Sequence, residues 1–344
     1  MDPVSLTKAL VSLETPTGRE SAATALLYSV LRGAGYTVIR QPLGGGEGRE
    51  NLYAFRRPPA LVFSTHLDCV PPHLPFREDD LRLYGRGVCD AKGIAAAMLA
   101  AAEQLHREGE DRIGLLFVVG EENGSDGAMR AAELEPKGRF LINGEPTDNR
   151  LVVGQKGSLR LDLTAVGRAA HSAYPEEGAS AIAALLDSLE RIRRLPLPAD
   201  PLLGQSTLNI GMLSGGVAPN VLAPSAEAQI LFRTVGPTAA LKEAVAAALS
   251  PGVTVRAAVE LPAHKAPALA GWDTTVVSFA SDLPLLSAWG TGYQLGPGSI
   301  RVAHTAEERI EKTELLKGVE LYVKLAGDLI RGESAGQGRE GRTS

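Results

Sequence analysis

Cysteine is almost absent from this chain: Cys69 and Cys89 are the only two in 344 residues. Two thiols cannot build a disulfide framework or a thiolate zinc cluster, so a reducing compartment, the cytoplasm, is the expected location. Long apolar runs are missing too. Nothing approaches the roughly 18 consecutive apolar residues of a membrane span, and Met1-Asp2-Pro3-Val4 does not open a basic segment followed by an apolar one. Runs of Lys and Arg are lacking, and 35 basic residues stand against 40 acidic ones for a net charge of -5. That balance excludes the electrostatic footprint of a phosphate-backbone binder, so neither nucleic acid nor membrane is an expected partner. Histidine is sparse, with six residues. Any metal site must therefore be assembled from His, Asp and Glu.

Length is what the chain does have. At roughly 100–200 residues per domain, 344 residues predict two domains. A domain of about 300 residues already buries roughly 75% of its unfolded surface, so no disulfide or structural metal is needed for folding.

In the first half, apolar runs alternate with helix-like or loop-rich segments. Ala60 to Thr65 ends in His66-Leu67-Asp68, Ile113 to Val119 ends in Gly120-Glu121-Glu122, and Arg139 to Asn143 ends in Gly144-Glu145-Pro146. Lys92 to His106 is rich in Ala and other helix formers. This pattern predicts an α/β fold with a mostly parallel sheet covered by helices on both faces. In such folds ligands bind beyond the carboxyl ends of the strands, where all three runs deliver acidic or His side chains. Asp90 comes to the same region from a Gly-rich loop, Tyr84 to Gly93, just before the Ala-rich helix.

From Leu159 the pattern changes to strict alternation, with Leu159, Leu161, Leu163 and Ala165 separated by Arg160, Asp162 and Thr164. Helix over Ala179–Arg194, strands over Ser206–Met212 and Glu227–Val235, helix over Thr238–Leu249 and strand over Val253–Val259 follow. The order β-α-β-β-α-β predicts an inserted ferredoxin-like domain at 157–262. The catalytic domain is then discontinuous, 1–156 and 263–331. A long helix is expected from about Glu307 to Ile330, and the Gly-rich stretch 332–344 is expected to be a flexible tail.

Each acidic motif is weak alone; together, in order, they resemble a family. Ser64 to Pro71, Tyr84 to Gly93, Glu121 to Ser125, Gly144 to Thr147, Gly167 to Ser172, and Gly296-Pro297-Gly298 with Ala303-His304 are similar to segments of the zinc-dependent metallopeptidases and deacylases. That family includes acetylornithine deacetylase, succinyl-diaminopimelate desuccinylase, aminoacylase and glutamate carboxypeptidase. The resemblance implies that the inserted domain serves as lid and dimerisation domain. It also implies two Zn2+ ions, with Co2+ or Mn2+ as substitutes. Asp90 would bridge them, His66 and Glu145 would complete one site, and Glu122 and His304 the other. Asp68 would hydrogen-bond the His66 ring and fix its tautomer, and Glu121 would be the general base for a metal-activated water. His171 would stabilise the oxyanion, across a dimer interface in relatives. Arg233 would pair with a substrate carboxylate, and Asn209 and Asn220 would shape the substrate site.

The expected activity is removal of an acyl group from an N-acyl amino acid, acetylornithine deacetylase-like and serving amino-acid biosynthesis, in a homodimer. The alternatives are a dipeptidase or carboxypeptidase, a hydrolase that releases an amino acid from a carrier protein, and a silent metal- or peptide-binding scaffold. The partner is a small N-acyl amino acid or short peptide. His73, His106 and His264 match no ligand motif, and the two cysteines read as small buried fillers. Gly120 departs from the pattern, because many relatives carry an acidic residue there, and the chain is short for the family.

Overall fold

A computed structural model describes residues 1–44 and 48–340, and side chains up to residue 331. In chain order the elements begin with helices α1 (Pro3–Val11) and α2 (Ser21–Gly33) and strands β1 (Thr37–Pro42), β2 (Glu50–Phe55) and β3 (Leu61–His66). Helix α3 (Lys92–Arg107), β4 (Ile113–Val118), α4 (Asp126–Ala131) and β5 (Phe140–Asn143) follow. Next come β6 (Gly157–Val166), α5 (Ala181–Arg193), β7 (Thr207–Gly215), β8 (Ser225–Thr234), α6 (Ala239–Ala247) and β9 (Val253–Leu261). Strand β10 (Thr291–Gln294) and helix α7 (Lys312–Glu340) close the series. The chain divides into two compact units, one of residues 1–153, 266–275 and 281–344, the other of 154–265 and 276–280.

The first unit is built on a six-stranded sheet of order β1-β2-β4-β3-β5-β10. β4, β3, β5 and β10 run parallel, and β1 and β2 add an antiparallel edge. Successive residues face opposite sides, and both sides are apolar. Leu52, Ala54, Leu61, Phe63, Leu115 and Phe117 pack under α1, α2, α3 and α7. Tyr53, Val62, Leu116, Val118 and Leu141 pack against α4 and Trp289. Burial on both faces explains why the strands read as continuous apolar runs. The second unit is a four-stranded antiparallel sheet, β7-β8-β6-β9. Leu159, Leu161, Leu163, Ile230 and Phe232 bury one face against α5 and α6.

Two segments differ from expectation. The last helix begins at Lys312, because Arg309–Glu311 first pairs as a short strand with Arg82–Tyr84. It then runs to Glu340, through Gly332 where the tail was expected to begin, since adding a residue to an established helix costs little. Residues 341–344, which the tail expectation also covers, lie outside the described residues. Strand β10 had no apolar signature, because Thr291-Gly292-Tyr293-Gln294 carries one large apolar side chain.

Candidate metal centre

Three parallel strand ends lie on one rim because β3 pairs with β4 on one side and β5 on the other, His66 standing opposite Val118. Chain order therefore places His66, the turn after β4, and Glu145 two residues past β5 at one edge of the sheet. The turn after β4 is made by Gly120 in a left-handed conformation (φ +80°), followed by a 3₁₀ turn over Glu121–Asn123. A Cβ at Gly120 would also lie 2.0 Å from Asp126 Oδ1 and 2.7 Å from Arg49 Nη2. A side chain there would be strained by the positive φ and would push Asp126 and Arg49 aside, which suits the glycine found in place of an acidic residue.

Asp68 organises the turn. Its buried carboxylate accepts hydrogen bonds from the backbone N–H of Glu121 (3.1 Å) and Glu122 (3.1 Å) and from Thr17 Oγ1 (2.7 Å). Asp68 meets His66 at two atoms. Ring Nδ1 lies 3.0 Å from the Asp68 carbonyl and 3.5 Å from Oδ1 of its carboxylate. Either way Nδ1 is the protonated nitrogen and Nε2 points to the site.

His66 Nε2 is 3.0 Å from Asp90 Oδ1, and His304 Nε2 is 3.2 Å from Asp90 Oδ2 and 3.0 Å from Glu122 Oε1. One carboxylate thus spans two imidazoles. His66, Asp90 and Glu122 each offer a ligand atom within 4.8 Å of the others. His304 reaches them from a loop in a left-handed conformation (φ +62°). Glu145 is buried, takes a 3.4 Å hydrogen bond from Asn143 Nδ2, and sits in the field of His66 and Asp90.

The electrostatics are those of a site short of positive charge. Burial pushes the carboxyls of Glu121 and Glu145 well above the ordinary range, and that of Glu122 upward, with neighbouring acids adding to the shift. Burial alone would lower the His66 imidazole, but Asp68 and Asp90 carry it well above its usual value. Hydrogen bonds to Asp90 and Glu122 push His304 up to about 10. Imidazole nitrogens and carboxylate oxygens are the donors that Zn2+ and similar cations take, and divalent charge would relieve this repulsion, so the residues fit a metal.

The remaining candidates lie in the second unit. His171 Nδ1 accepts the backbone N–H of Ala173 (3.2 Å), so its exposed ring carries the proton on Nε2, the tautomer of a hydrogen-bond donor. Asn209 is exposed and Arg233 half-buried on the sheet face away from α5 and α6. Asn220 is exposed, and its carbonyl accepts the N–H of Ser172 (2.9 Å) in the loop after His171. Cys69 and Cys89 are buried, and burial pushes the Cys69 thiol up to about 12, so neither offers a thiolate.

Sequence reasoning passed over several residues around the site. Arg49 is buried between Glu20 (3.0 Å) and Asp126 (2.7 Å), clamping the far end of the Glu121 turn. Glu308 gathers the backbone of the Asp90 loop. Asp282 is 2% exposed, and burial raises it to about 6 against the opposing effect of Ser125. A carboxyl raised on folding costs stability once it ionises, so Asp282 destabilises the metal-free protein as pH rises from about 4 through 6, by up to about 3 kcal/mol. Asp282→Asn is expected to flatten that part of the pH–stability curve. Denaturant unfolding of the metal-free proteins at pH 4, 5, 6 and 7 checks this, and parallel curves for both would refute it.

The chain is similar to known proteins in sequence and in fold. A "Peptidase M20 domain-containing protein" of Schizosaccharomyces pombe is 36% identical, covering 94% of this chain and 83% of its own length. A protein of Aspergillus clavatus named "Probable carboxypeptidase" is 37% identical, over 92% and 80%. Among solved structures, a Staphylococcus aureus tripeptidase superposes with a TM-score of 0.77 at 22% identity, covering 94% of this chain and 96% of that one. The metallo-carboxypeptidase Sso-CP2 of Sulfolobus solfataricus gives 0.75 at 15% identity, over 94% and 98%. These structures share the α/β fold. The model of "Peptidase family M20/M25/M40" matches residues 62–328, so the chain belongs to that family of metal-dependent hydrolases acting on amide bonds.

Proposed function

We propose that the chain is a two-metal peptidase of carboxypeptidase type, releasing an amino acid from a short peptide or other N-acyl group. The observation that carries the reading is the Asp90 carboxylate, set between two imidazoles, with the Glu121 carboxyl in the field of one of them, His66. His66, Asp90 and Glu145 would hold one cation and Asp90, Glu122 and His304 the other. Bound cations of this kind would polarise the scissile carbonyl and lower the pKa of water. Glu121 takes the proton from that water and passes it to the leaving amine. A carboxyl pushed up by burial and by Glu145 suits both halves of that task, since it holds a proton more readily than an ordinary carboxylate and can hand it on. Asp68 keeps Glu121 and Glu122 aimed differently by holding both backbone N–H groups.

For the second unit, the family resemblance supports His171 as donor of its Nε2–H to the developing oxyanion, Arg233 as partner of the α-carboxylate, and Asn209 and Asn220 as shaping the substrate site. A homodimer suits the outer strand β7, which leaves Met212 and Leu213 exposed, and α5, which leaves Ile182 and Leu186 exposed.

The relatives at 36–37% identity favour a peptide over an acetyl group. Acetylornithine deacetylase-like turnover is the second reading, resting on the motifs that resemble that family. A panel of N-blocked dipeptides, their C-terminal amides, and N-acetyl and N-succinyl amino acids, read as kcat/KM with the protein's mass in solution, separates them. Free-carboxylate dipeptides are expected to lead and their amides to fail. Preference for the acetyl substrates would sink the carboxypeptidase reading, and a monomeric mass the homodimer.

A further inference from the structure

Glu308 stands four residues after His304, is 1% exposed, and touches neither of the two histidine rings. Its Oε1 accepts the backbone N–H groups of Gly87 (2.8 Å), Cys89 (3.3 Å) and Asp90 (3.3 Å), and its Oε2 pairs with Arg86 Nη1 (2.6 Å). Its own carbonyl accepts the N–H of Gly85 (3.3 Å). The loop from Gly85 to Asp90 is therefore wrapped around one side chain. The glycines permit it. Gly87 has φ +94°, and a Cβ there would lie 2.8 Å from Cys69 Sγ and 2.9 Å from Lys92 Cδ. The sequence Gly85-Arg86-Gly87 is thus a cradle for a carboxylate that lies 222 positions beyond Arg86 in the chain.

Two consequences follow for Asp90. Its backbone is fixed by the same group that ends the His304 loop, so the two loops move together or not at all. Its carboxylate must hold one orientation, with Oδ1 toward His66 and Oδ2 toward His304. A rotation that served one ring would abandon the other. We infer that Glu308 is a positioning residue that locks the Asp90 carboxylate in its bridging orientation, so that the Arg86–Glu308 pair sets how tightly the second of two cations is held. The inference rests on the two-metal reading above. A merely structural ion pair would affect melting and leave the second cation alone.

Zinc affinity measured by chelator competition on the full-length, metal-stripped protein tests this without reference to turnover. Wild type is expected to take two equivalents. Glu308→Gln, which keeps an acceptor oxygen but loses the ion pair, is expected to weaken the second equivalent about 10- to 100-fold and leave the first within about threefold. Arg86→Met/Glu308→Leu replaces the buried pair by apolar groups, a change that folds tolerate. It leaves the three amides without an acceptor and is expected to weaken the second equivalent further. Loading with Mn2+ adds a spectroscopic readout, because the exchange-coupled signal of a bridged pair should fade in both variants. Wild-type affinity for both equivalents in Glu308→Gln overturns the inference, whatever happens to melting, and that variant decides alone if the double variant does not fold. Uptake of a single equivalent by wild type would instead refute the two-metal reading; the role of Glu308 is then read on that one affinity.

Discussion

Glu121→Gln lowers kcat by about 10²- to 10⁴-fold while metal content, KM and fold stay near wild type. The asymmetry comes from how the turn is held. The backbone N–H of residue 121 donates to Asp68 whatever the side chain is, so the turn and the aim of Glu122 survive the substitution. The direct contacts within the cluster run among His66, Asp90, Glu122 and His304, and none uses the Glu121 carboxylate. Gln has the same shape but cannot accept and return a proton. It also removes one acid from a group whose carboxyls are raised by burial and mutual repulsion, so the metal-free variant should melt no lower than wild type. Steady-state kinetics beside elemental analysis checks the pair of expectations. Turnover within about tenfold of wild type would remove Glu121 from the base role, and loss of metal would make it a ligand instead.

The strands of the first unit were legible because they are buried on both faces, which leaves continuous apolar runs, and their carboxyl ends marked where to look for acids. The second unit was legible by alternation, since one face of its sheet packs against helices and the other does not. The outer strands β1 and β10, and β2 next to β1, were not, because their residues mix polar and apolar types in no strict period. In the site, His66 and Glu122 stood out as ligand types at the carboxyl ends of apolar runs and Asp90 in a Gly-rich loop before a helix, whereas His304 was marked only by the family resemblance. Arg49, Glu308 and Asp282 did not, since a buried charge in a loop carries no local signature; its partner lies far along the chain, as Arg86 does for Glu308. The Asp68–His66 contact shows a different limit. The resemblance paired the two residues, but the shorter approach of the Asp68 carbonyl to the ring, and the bonds of the carboxylate to Thr17 and the Glu121 turn, had no mark in the sequence.

Stripping the metal should abolish activity and make stability fall with rising pH where the loaded protein's does not. His304 is raised to about 10 by its hydrogen bonds to Asp90 and Glu122. A group whose folded pKa lies above its unfolded value contributes stability that is complete below about 6.5 and is lost as pH rises through 10. His66, also raised, acts in the same direction. Glu121, Glu122 and Glu145 add to it, because acids raised by burial cost stability as they ionise. In the loaded protein the rings are neutral ligands and the carboxylates face cations, so these terms disappear. The half-exposed side chain of His304 keeps its share of the amplitude modest. Melting temperatures of chelator-treated protein are therefore expected to decline steadily from pH 6.5 to 10, against a flat profile for the loaded form. The same protons must leave when metal binds near pH 7, so calorimetry in buffers of different ionisation enthalpy should detect proton release, and apparent affinity should climb with pH. A metal-free melting profile that is flat across that window, or binding without proton release, would show that His66 and His304 are not held as imidazolium by Asp90 and Glu122.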